Sequence, residues 1–267
     1  MNNPKISIIT VCYNAADTIE KTILSVINQT YEHIEYIIID GASTDGTVDM
    51  VRKYRDKISY FISESDNGIY DAMNKGITMA TGEWINFMNA GDCFYDERVL
   101  DRLEKELRTI SYKVGCIYGD YISVQKRKTV EVLCLTPFFQ RENYIENPSM
   151  GFHHQSTFVR TGLAKEKMFD TKKFHLCADY NMIYSLYKDG WGFHRVPCFV
   201  AIVDGRTGVS ASNRALQLKE HYVVLGLSDN IDAIIKVFIV RVKELIKKIV
   251  LCFLDKYSKR GKKGQNF

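Results

Sequence analysis

Within the first ninety residues, four short apolar, β-branched runs alternate with three stretches of helical periodicity. Residues 5–13 (KISIITVCY) read as a buried strand closed by Asn14. Residues 16–29 follow with Ile19, Ile23, Leu24 and Ile27 at helical spacing. A second buried strand, 34–39 (IEYIII), stops at Asp40-Gly41, and a turn leads into a helix over 46–56. Residues 59–64 (SYFISE) make a third strand, Asp66-Asn67-Gly68 turn into a helix over 69–80, and 83–88 make a fourth strand. Alternation this regular calls for parallel strands joined by right-handed helical crossovers.

After Asp92 the rhythm changes. Residues 96–109 have the spacing of an amphipathic helix, and 115–123 and 128–135 read as two neighbouring strands. A long irregular stretch, 136–157, holds Pro137, Pro148 and His153-His154. Residues 176–189 read as helix, 193–203 as strand and 206–213 as polar loop. This mixed half is expected to continue the same sheet. No linker composition or repeat interrupts it, so an α/β domain is expected over 1–215, in halves 1–92 and 93–215, with a helical tail over 216–267.

Composition narrows the classes further. With 46% hydrophobic and 25% charged residues the chain is neither disordered nor a small disulfide scaffold. Seven scattered cysteines without a CxxC pair argue against a disulfide framework and a zinc site. There is no apolar leader behind a basic start, and no charge-free stretch of about 18 residues. A reduced, cytoplasmic protein without a spanning helix is therefore expected.

In an open α/β sheet, ligands bind beyond the carboxyl ends of the strands. Here those ends deliver Tyr13-Asn14, Asp40, Glu64 with Asp66, and Asn89 with Asp92. Asp and Asn commonly stop strands and start turns, which accounts for any one of them. Four successive ends of this kind read jointly as a site. No GxGxxG, GxxxxGK[ST] or GxSxG is present. An acidic edge repels bare phosphate but holds it through a divalent cation, while the remaining acids accept hydrogen bonds from a base or ribose. That chemistry suits a nucleoside diphosphate joined to a transferable group.

At this point the segments ISIITVCYNA (6–15), D-G-A-S-T-D-G-T (40–47), SESDNGIYDAMNKGI (63–77) and TGEWINFMNAGD (81–92) matter together. In order and spacing they resemble the donor half of a family-2 glycosyltransferase of GT-A fold, of the kind that builds bacterial capsular, exopolysaccharide or lipopolysaccharide chains. The resemblance extends more thinly to about residue 210 and implies a Rossmann-like, mostly parallel mixed sheet flanked by helices. It implies that Thr10, Tyr13 and Asn14 line the nucleotide pocket and that Asp40, with Ser43 beside it, accepts from a nucleobase, uracil by preference. Asp66, Asn67, Asn74 and Lys75 would close over ribose and diphosphate. Asp92 would hold a divalent cation, Mn²⁺ or Mg²⁺.

The chain departs from that family pattern in two places. Asn89-Ala90-Gly91-Asp92 stands where D-x-D-D is usual, leaving Asn89 to offer an oxygen beside one carboxylate. Asp40-Gly41 stands where Asp-Asp is common. The resemblance further implies inversion at the anomeric carbon, with Asp179, in Cys177-Ala178-Asp179-Tyr180, as the base. His153 or His154, Asp120 and Arg206 are candidate acceptor or diphosphate contacts. Without the resemblance, Asp179 is a helix N-terminal acid favoured by the helix dipole. A sugar nucleotidyltransferase and a non-catalytic nucleotide- or glycan-binding subunit are the alternatives. No Q-x-x-R-W accompanies the motifs, so a non-processive enzyme is expected.

The formal net charge of +4 hides two unlike parts. Ten basic residues between 236 and 263 face only Glu244 and Asp255, so this tail carries +8 and the remainder −4. On a helix, Ile235, Phe238, Val242, Leu245, Ile246, Ile249 and Phe253 share one side, with Lys236, Lys243, Glu244, Lys247 and Lys248 roughly opposite. A basic amphipathic helix of this kind reads as lying on an anionic membrane face, here the inner face of the cytoplasmic membrane, where a saccharide or lipid-linked acceptor would be met. Packing on the protein's own core and pairing in a dimer are the other readings. No RNA-binding motif accompanies the charge, so nucleic acid is not an expected partner.

Overall fold

The computed structural model describes residues 3–125, 129–132, 153–205 and 213–261. Its first half follows the alternation: β1 (Ile6–Cys12), α1 (Ile19–Ile27), β2 (Ile34–Asp40), α2 (Thr47–Arg52), β3 (Tyr60–Ser63), α3 (Ile69–Met79) and β4 (Trp84–Phe87). The second half holds β5 (Cys93–Phe94), α4 (Val99–Leu107), β6 (Val114–Val124), β7 (Thr129–Val132), β8 (Thr157–Arg160), α5 (Thr161–Lys167), α6 (Ala178–Lys188), β9 (Gly192–Asp204), α7 (Arg214–Val224) and α8 (Ile231–Gly261).

One sheet runs β3-β2-β1-β4-β8-β6-β9-β5, with β7 on the end of β6 that β8 leaves free. β1 pairs in parallel with both β2 and β4, and β2 with β3. β8 enters antiparallel between β4 and β6, while β6 and β9 are parallel. The sheet is thus parallel from β3 to β4 and mixed beyond, the GT-A arrangement expected from the sequence.

Every residue of β1 is buried, which explains its largely apolar run: helices cover both faces. Ile6, Ile8 and Cys12 point into one layer with Ile19, Ile23, Leu100 and Leu103 from α1 and α4. Ile9 and Val11 point into the other with Met73, Ile77, Leu163, Ile183 and Leu186 from α3, α5 and α6. α3 lies so close on β1 that a Cβ at Gly76 would stand 2.5 Å from the Ile9 side chain.

The differences from the sequence reading are local. The helix expected over 46–56 ends at Arg52 and continues only as one 3₁₀ turn, Arg55–Lys57. β5 is two residues long, and β8 runs straight into α5 with no turn residue between them, so neither carries a boundary signal. Of the strand expected over 128–135, β7 is the described part. Pro137, Pro148, the loop residues 206–212, Cys134 and residues 262–267 lie outside the described residues. The 215/216 boundary falls inside α7, whose Ala215, Glu220 and Tyr222 are buried. Among the described residues no helix is long and apolar enough to cross a membrane.

At the amino ends of the strands one carboxylate ties three segments together. Glu35 of β2 accepts hydrogen bonds from Lys5 Nζ (2.8 Å), Ser7 Oγ (2.6 Å), and Thr81 through both N–H (2.7 Å) and Oγ (2.5 Å). Burial alone raises the Glu35 pKa, but these donors outweigh it and hold the group at about 2 against an ordinary 4.5. A depressed folded-state pKa contributes stability above the unfolded value, lost as pH falls from about 4.5 towards 2. Relative to Glu35→Gln, the wild type is therefore expected to lose about 2 kcal/mol more stability between pH 5 and pH 2 in urea melts. Parallel losses in the two proteins would contradict it.

Candidate active site

The carboxyl ends of β1, β2 and β3 are laced together by polar side chains. Asn14, in the left-handed region at φ 47°, donates its backbone N–H to Ser43 Oγ (2.8 Å) and accepts from Thr44 N–H at Oδ1 (3.0 Å). Tyr13 beside it is 67% exposed. Asp40 is fully enclosed. It accepts from Ser43 N–H (2.9 Å), the Ser43 hydroxyl and Ser63 Oγ (2.6 Å), so its capacity is turned inward to fasten β2 to β3. The sequence reading has Asp40 contacting a base; its hydrogen bonds here hold Ser43, which shares a rim around Gly41 with Tyr13 and Asp66.

Gly41 is explained by the same rim. A Cβ there would meet Asp66 Oδ2 at 2.5 Å and the Tyr13 ring at 3.4 Å. The Asp66 carboxylate, steadied by Gly68 N–H (2.8 Å), fills the space that a larger residue at 41 would take. Asn67 is exposed next to it, its N–H given to Asp71.

A second group of side chains converges from α3, the loop after β4, the 3₁₀ turn His154–Ser156 and α6. Asp179, in the first turn of α6, accepts from Tyr70 Oη at Oδ1 (2.8 Å) and pairs with His154 Nδ1 at Oδ2 (2.9 Å). The other ring nitrogen of His154 lies 3.0 Å from Asn89 Nδ2. The Asp179 side chain is 16% exposed. Burial raises its pKa, yet His154, Tyr70 and the Tyr180 N–H together carry it below the ordinary carboxylate value. Burial and the adjacent Asp179 charge push the Tyr70 phenol well up, so it stays an O–H donor.

Asp92 stands beside this group. It is buried, accepting from Gln155 Nε2 (2.6 Å) and from the Asp204 N–H (2.8 Å) at the end of β9. Burial raises its pKa. Gln155 and Tyr70 take part although the sequence reading names neither. Tyr70 had a usable signal, since a tyrosine on the buried face of a helix needs a partner for its hydroxyl.

Other expected site residues are placed elsewhere. Thr10 is fully buried, its hydroxyl donating to the Met88 carbonyl (2.8 Å) beside Tyr36 Oη, beneath the site rather than lining it. Asn74 brackets Phe169, donating to its carbonyl (2.9 Å) and accepting its N–H (2.8 Å). Lys75 is held by Glu64 (2.8 Å) and the Ser65 carbonyl, and the Glu64 contact raises its pKa. Asp120 is buried in a two-point pair with Arg195 (2.9 and 2.8 Å). His153 is exposed, its ring edge-on to Tyr121. Arg206 lies outside the described residues.

Among the described residues no three His, Cys, Asp or Glu side chains form a preassembled metal cluster. The donor set is nonetheless suited to a hard cation. Asn89 Oδ1 and Gln155 Oε1 are buried oxygens without a hydrogen-bond partner among the described residues, on the two amides that flank Asp92 and His154. Carboxylate plus amide oxygens is chemistry that Mg²⁺ and Mn²⁺ accept. At one of the two departures from the acidic motif the backbone is left-handed: Gly91 sits at φ 97°, and a Cβ there would have its nearest neighbour, on Thr18, a full 3.8 Å away. The constraint is conformation and not space. Gly91→Ala should therefore cost about 1 kcal/mol of stability in thermal melts, and an unchanged melting temperature would contradict this.

Comparison with known proteins now adds to this geometry. The sequence pattern of Glycosyl transferase family 2 matches residues 7–166. A PGL/p-HBAD biosynthesis glycosyltransferase of Mycobacterium bovis (strain BCG / Pasteur 1173P2) is 28% identical over 203 residues, 74% of this chain and 71% of its own length. TuaG of Bacillus subtilis (strain 168), named as a putative teichuronic acid biosynthesis glycosyltransferase, is 38% identical over 107 residues, 39% of this chain and 41% of its own. The crystal structure of S. aureus TarS 1–349 with UDP-GlcNAc superposes with a TM-score of 0.66 at 19% identity, covering 84% of this chain and 65% of that one. The mannosyltransferase PcManGT of Pyrobaculum calidifontis, with GDP-Man and Mn²⁺, gives 0.62 at 20% identity, covering 84% and 64%. The chain thus spans less than two thirds of TuaG and of these two structures, whose likeness is one of fold. With residues 7–166 matched, the protein belongs to glycosyl transferase family 2.

Proposed function

We propose that this protein is a non-processive, inverting glycosyltransferase that moves a sugar from a nucleoside-diphosphate sugar, UDP-linked by preference, to a saccharide or lipid-linked acceptor. The observation that carries the reading is the Asp179 carboxylate, held between Tyr70 and His154 next to Asp92 at the carboxyl edge of the sheet. TarS with UDP-GlcNAc and PcManGT with GDP-Man, which share the fold, support a nucleoside-diphosphate sugar as donor.

In this reading the rim of Tyr13, Asn14, Ser43, Asp66 and Asn67 takes the nucleoside, and Asp40 keeps that rim in shape. Asp92, with the spare oxygens of Asn89 and Gln155, would hold a divalent cation together with the donor's diphosphate. Such an ion neutralises charge on the departing diphosphate. Asp179 is ionised at neutral pH, because its partners keep its pKa low. It takes the proton from the acceptor hydroxyl as that oxygen attacks the anomeric carbon on the side away from the diphosphate. The proton ends on Asp179, the sugar on the acceptor oxygen and the bond electrons on the diphosphate. Tyr70 and His154 fix the carboxylate so that a free lone pair meets the hydroxyl.

The C-terminal helix bears on where the acceptor waits. α8 packs on the body through Ala233 and through Glu244, which accepts the Ala215 N–H. Its opposite side leaves Ile235, Phe238, Val242, Leu245, Ile246 and Ile249 exposed, with Arg241, Lys243 and Lys247 exposed at the flanks. An apolar stripe edged by cations suits the surface of an anionic leaflet, each basic residue adding about 1 kcal/mol near it. The proposed location is therefore the inner face of the cytoplasmic membrane. Phe253 falls within α8, but its side chain is outside the described part.

Two experiments test this reading. A panel of UDP- and GDP-sugars with and without Mn²⁺ should reveal turnover, and Asp179→Asn should lower transfer by about 100-fold or more while leaving donor binding intact. No turnover with any donor would contradict the enzyme. Donor binding without turnover would instead favour an accessory subunit. Separately, Phe238→Ser with Leu245→Ser should abolish co-sedimentation with phosphatidylglycerol vesicles without touching turnover in solution. Unchanged sedimentation would contradict the membrane assignment.

A further inference from the structure

Asp179 is fixed from one side by Tyr70 and His154, but the backbone that carries it needs a support of its own. It sits in the first turn of α6, preceded by the irregular residues 168–177. Cys177, at the helix N-cap, provides no side-chain cap to α6. Helix starts expose backbone N–H groups that something must satisfy.

The backbone N–H groups of the three residues leading into α6 are taken up by one carboxylate from a different helix. Glu220 of α7 is 5% exposed. Its Oε1 accepts from His175 N–H (3.0 Å), and its Oε2 accepts from both Leu176 N–H (2.9 Å) and Cys177 N–H (2.9 Å). Two neighbouring contacts run in the same direction. Cys177 Sγ lies 3.5 Å from the Gln217 carbonyl, and the Tyr180 ring packs 4.6 Å from His221. Residues 175–177 and 180, on both sides of Asp179, are thus gripped by positions 217, 220 and 221 of α7. A buried carboxylate is costly unless it is fully hydrogen-bonded, and three convergent N–H donors meet that requirement.

We propose that Glu220 is a positioning residue for Asp179: by holding the backbone of residues 175–177 it sets where the carboxylate of α6 stands, and so governs the proton-transfer step. It touches neither donor nor acceptor. This inference rests on the reading of Asp179 as base, and it enlarges the active unit. Asp179 on α6 and Glu220 on α7 both lie beyond the segment 7–166 that defines the family match, so base and support belong to the same later part of the chain. Glu220 acts through the placement of one group, so it should affect the rate of transfer and not donor capture, which occurs at the rim of β1 and β2.

The test compares the full-length wild type with Glu220→Gln and Glu220→Ala, using UDP titration for donor binding, steady-state transfer for kcat and donor KM, and amide hydrogen exchange at 175–177. Glu220→Gln keeps the shape and one acceptor oxygen, and so reports even if the alanine variant folds poorly. The expected result for Glu220→Gln is a kcat lower by roughly ten- to a hundred-fold, with donor KM and UDP affinity within about two-fold of wild type, and faster exchange at 175–177. Wild-type turnover with an unchanged kcat in Glu220→Gln would overturn the positioning role and leave the transferase reading standing. Equal losses of kcat and UDP affinity would show a merely structural residue and overturn it too. A wild type inactive with every donor would refute the transferase reading itself, and this inference with it.

Discussion

The site depends on the two-sided pairing of β1. Because β1 is hydrogen-bonded in parallel to β2 on one side and β4 on the other, the carboxyl ends of all three lie at one edge. Tyr13, Asp40 and Asn89 therefore meet there without any long loop to bring them. The burial of every β1 residue fixes the register, since a shift of one residue would exchange Ile6 and Ile8 for Ser7 and Ile9 between layers. At the opposite ends, Glu35 closes the same three segments from below. The polar edge is open because the apolar layers and the Glu35 cluster hold the sheet elsewhere.

This is why so much of the first half was legible in the sequence. A parallel sheet buried on both faces writes itself as apolar runs of strand length, and its crossovers write themselves as amphipathic helices. The second half was less legible because its strands obey other neighbours. β8 is four residues long, lies between β4 and β6, and passes directly into α5, so no turn chemistry marks it. β5 is two residues that pair with β9. Such elements are specified by the sheet they join and not by their own composition.

The site shows the same division. Residues on strand ends, such as Tyr13, Asn14, Asp66, Asn89 and Asp92, are singled out by position alone. His154 and Asp179 needed a resemblance to be singled out, and only the structure brings them to 2.9 Å of one another. Thr10 and Asn74 carry polar side chains in the right motifs, yet Thr10 serves the packing of β1 and Asn74 the loop at Phe169. Gln155 and Glu220 were illegible for one reason: each is defined by a partner distant in the chain, while the buried Tyr70 announces only that its hydroxyl needs a partner, not which one. Gly91 adds a backbone reason that no residue type announces, since its left-handed conformation strains a residue with a side chain.

In the proposed mechanism one carboxylate, Asp179, serves a single displacement, and the stereochemistry of the product tests that directly. With an α-linked nucleoside-diphosphate sugar that the protein turns over, proton NMR of the first-formed product should show the large anomeric coupling of a β-linkage for a gluco- or galacto-configured sugar. A product formed with retention, showing the small α coupling, would contradict the assignment of Asp179 as the base of a direct attack from the side away from the diphosphate.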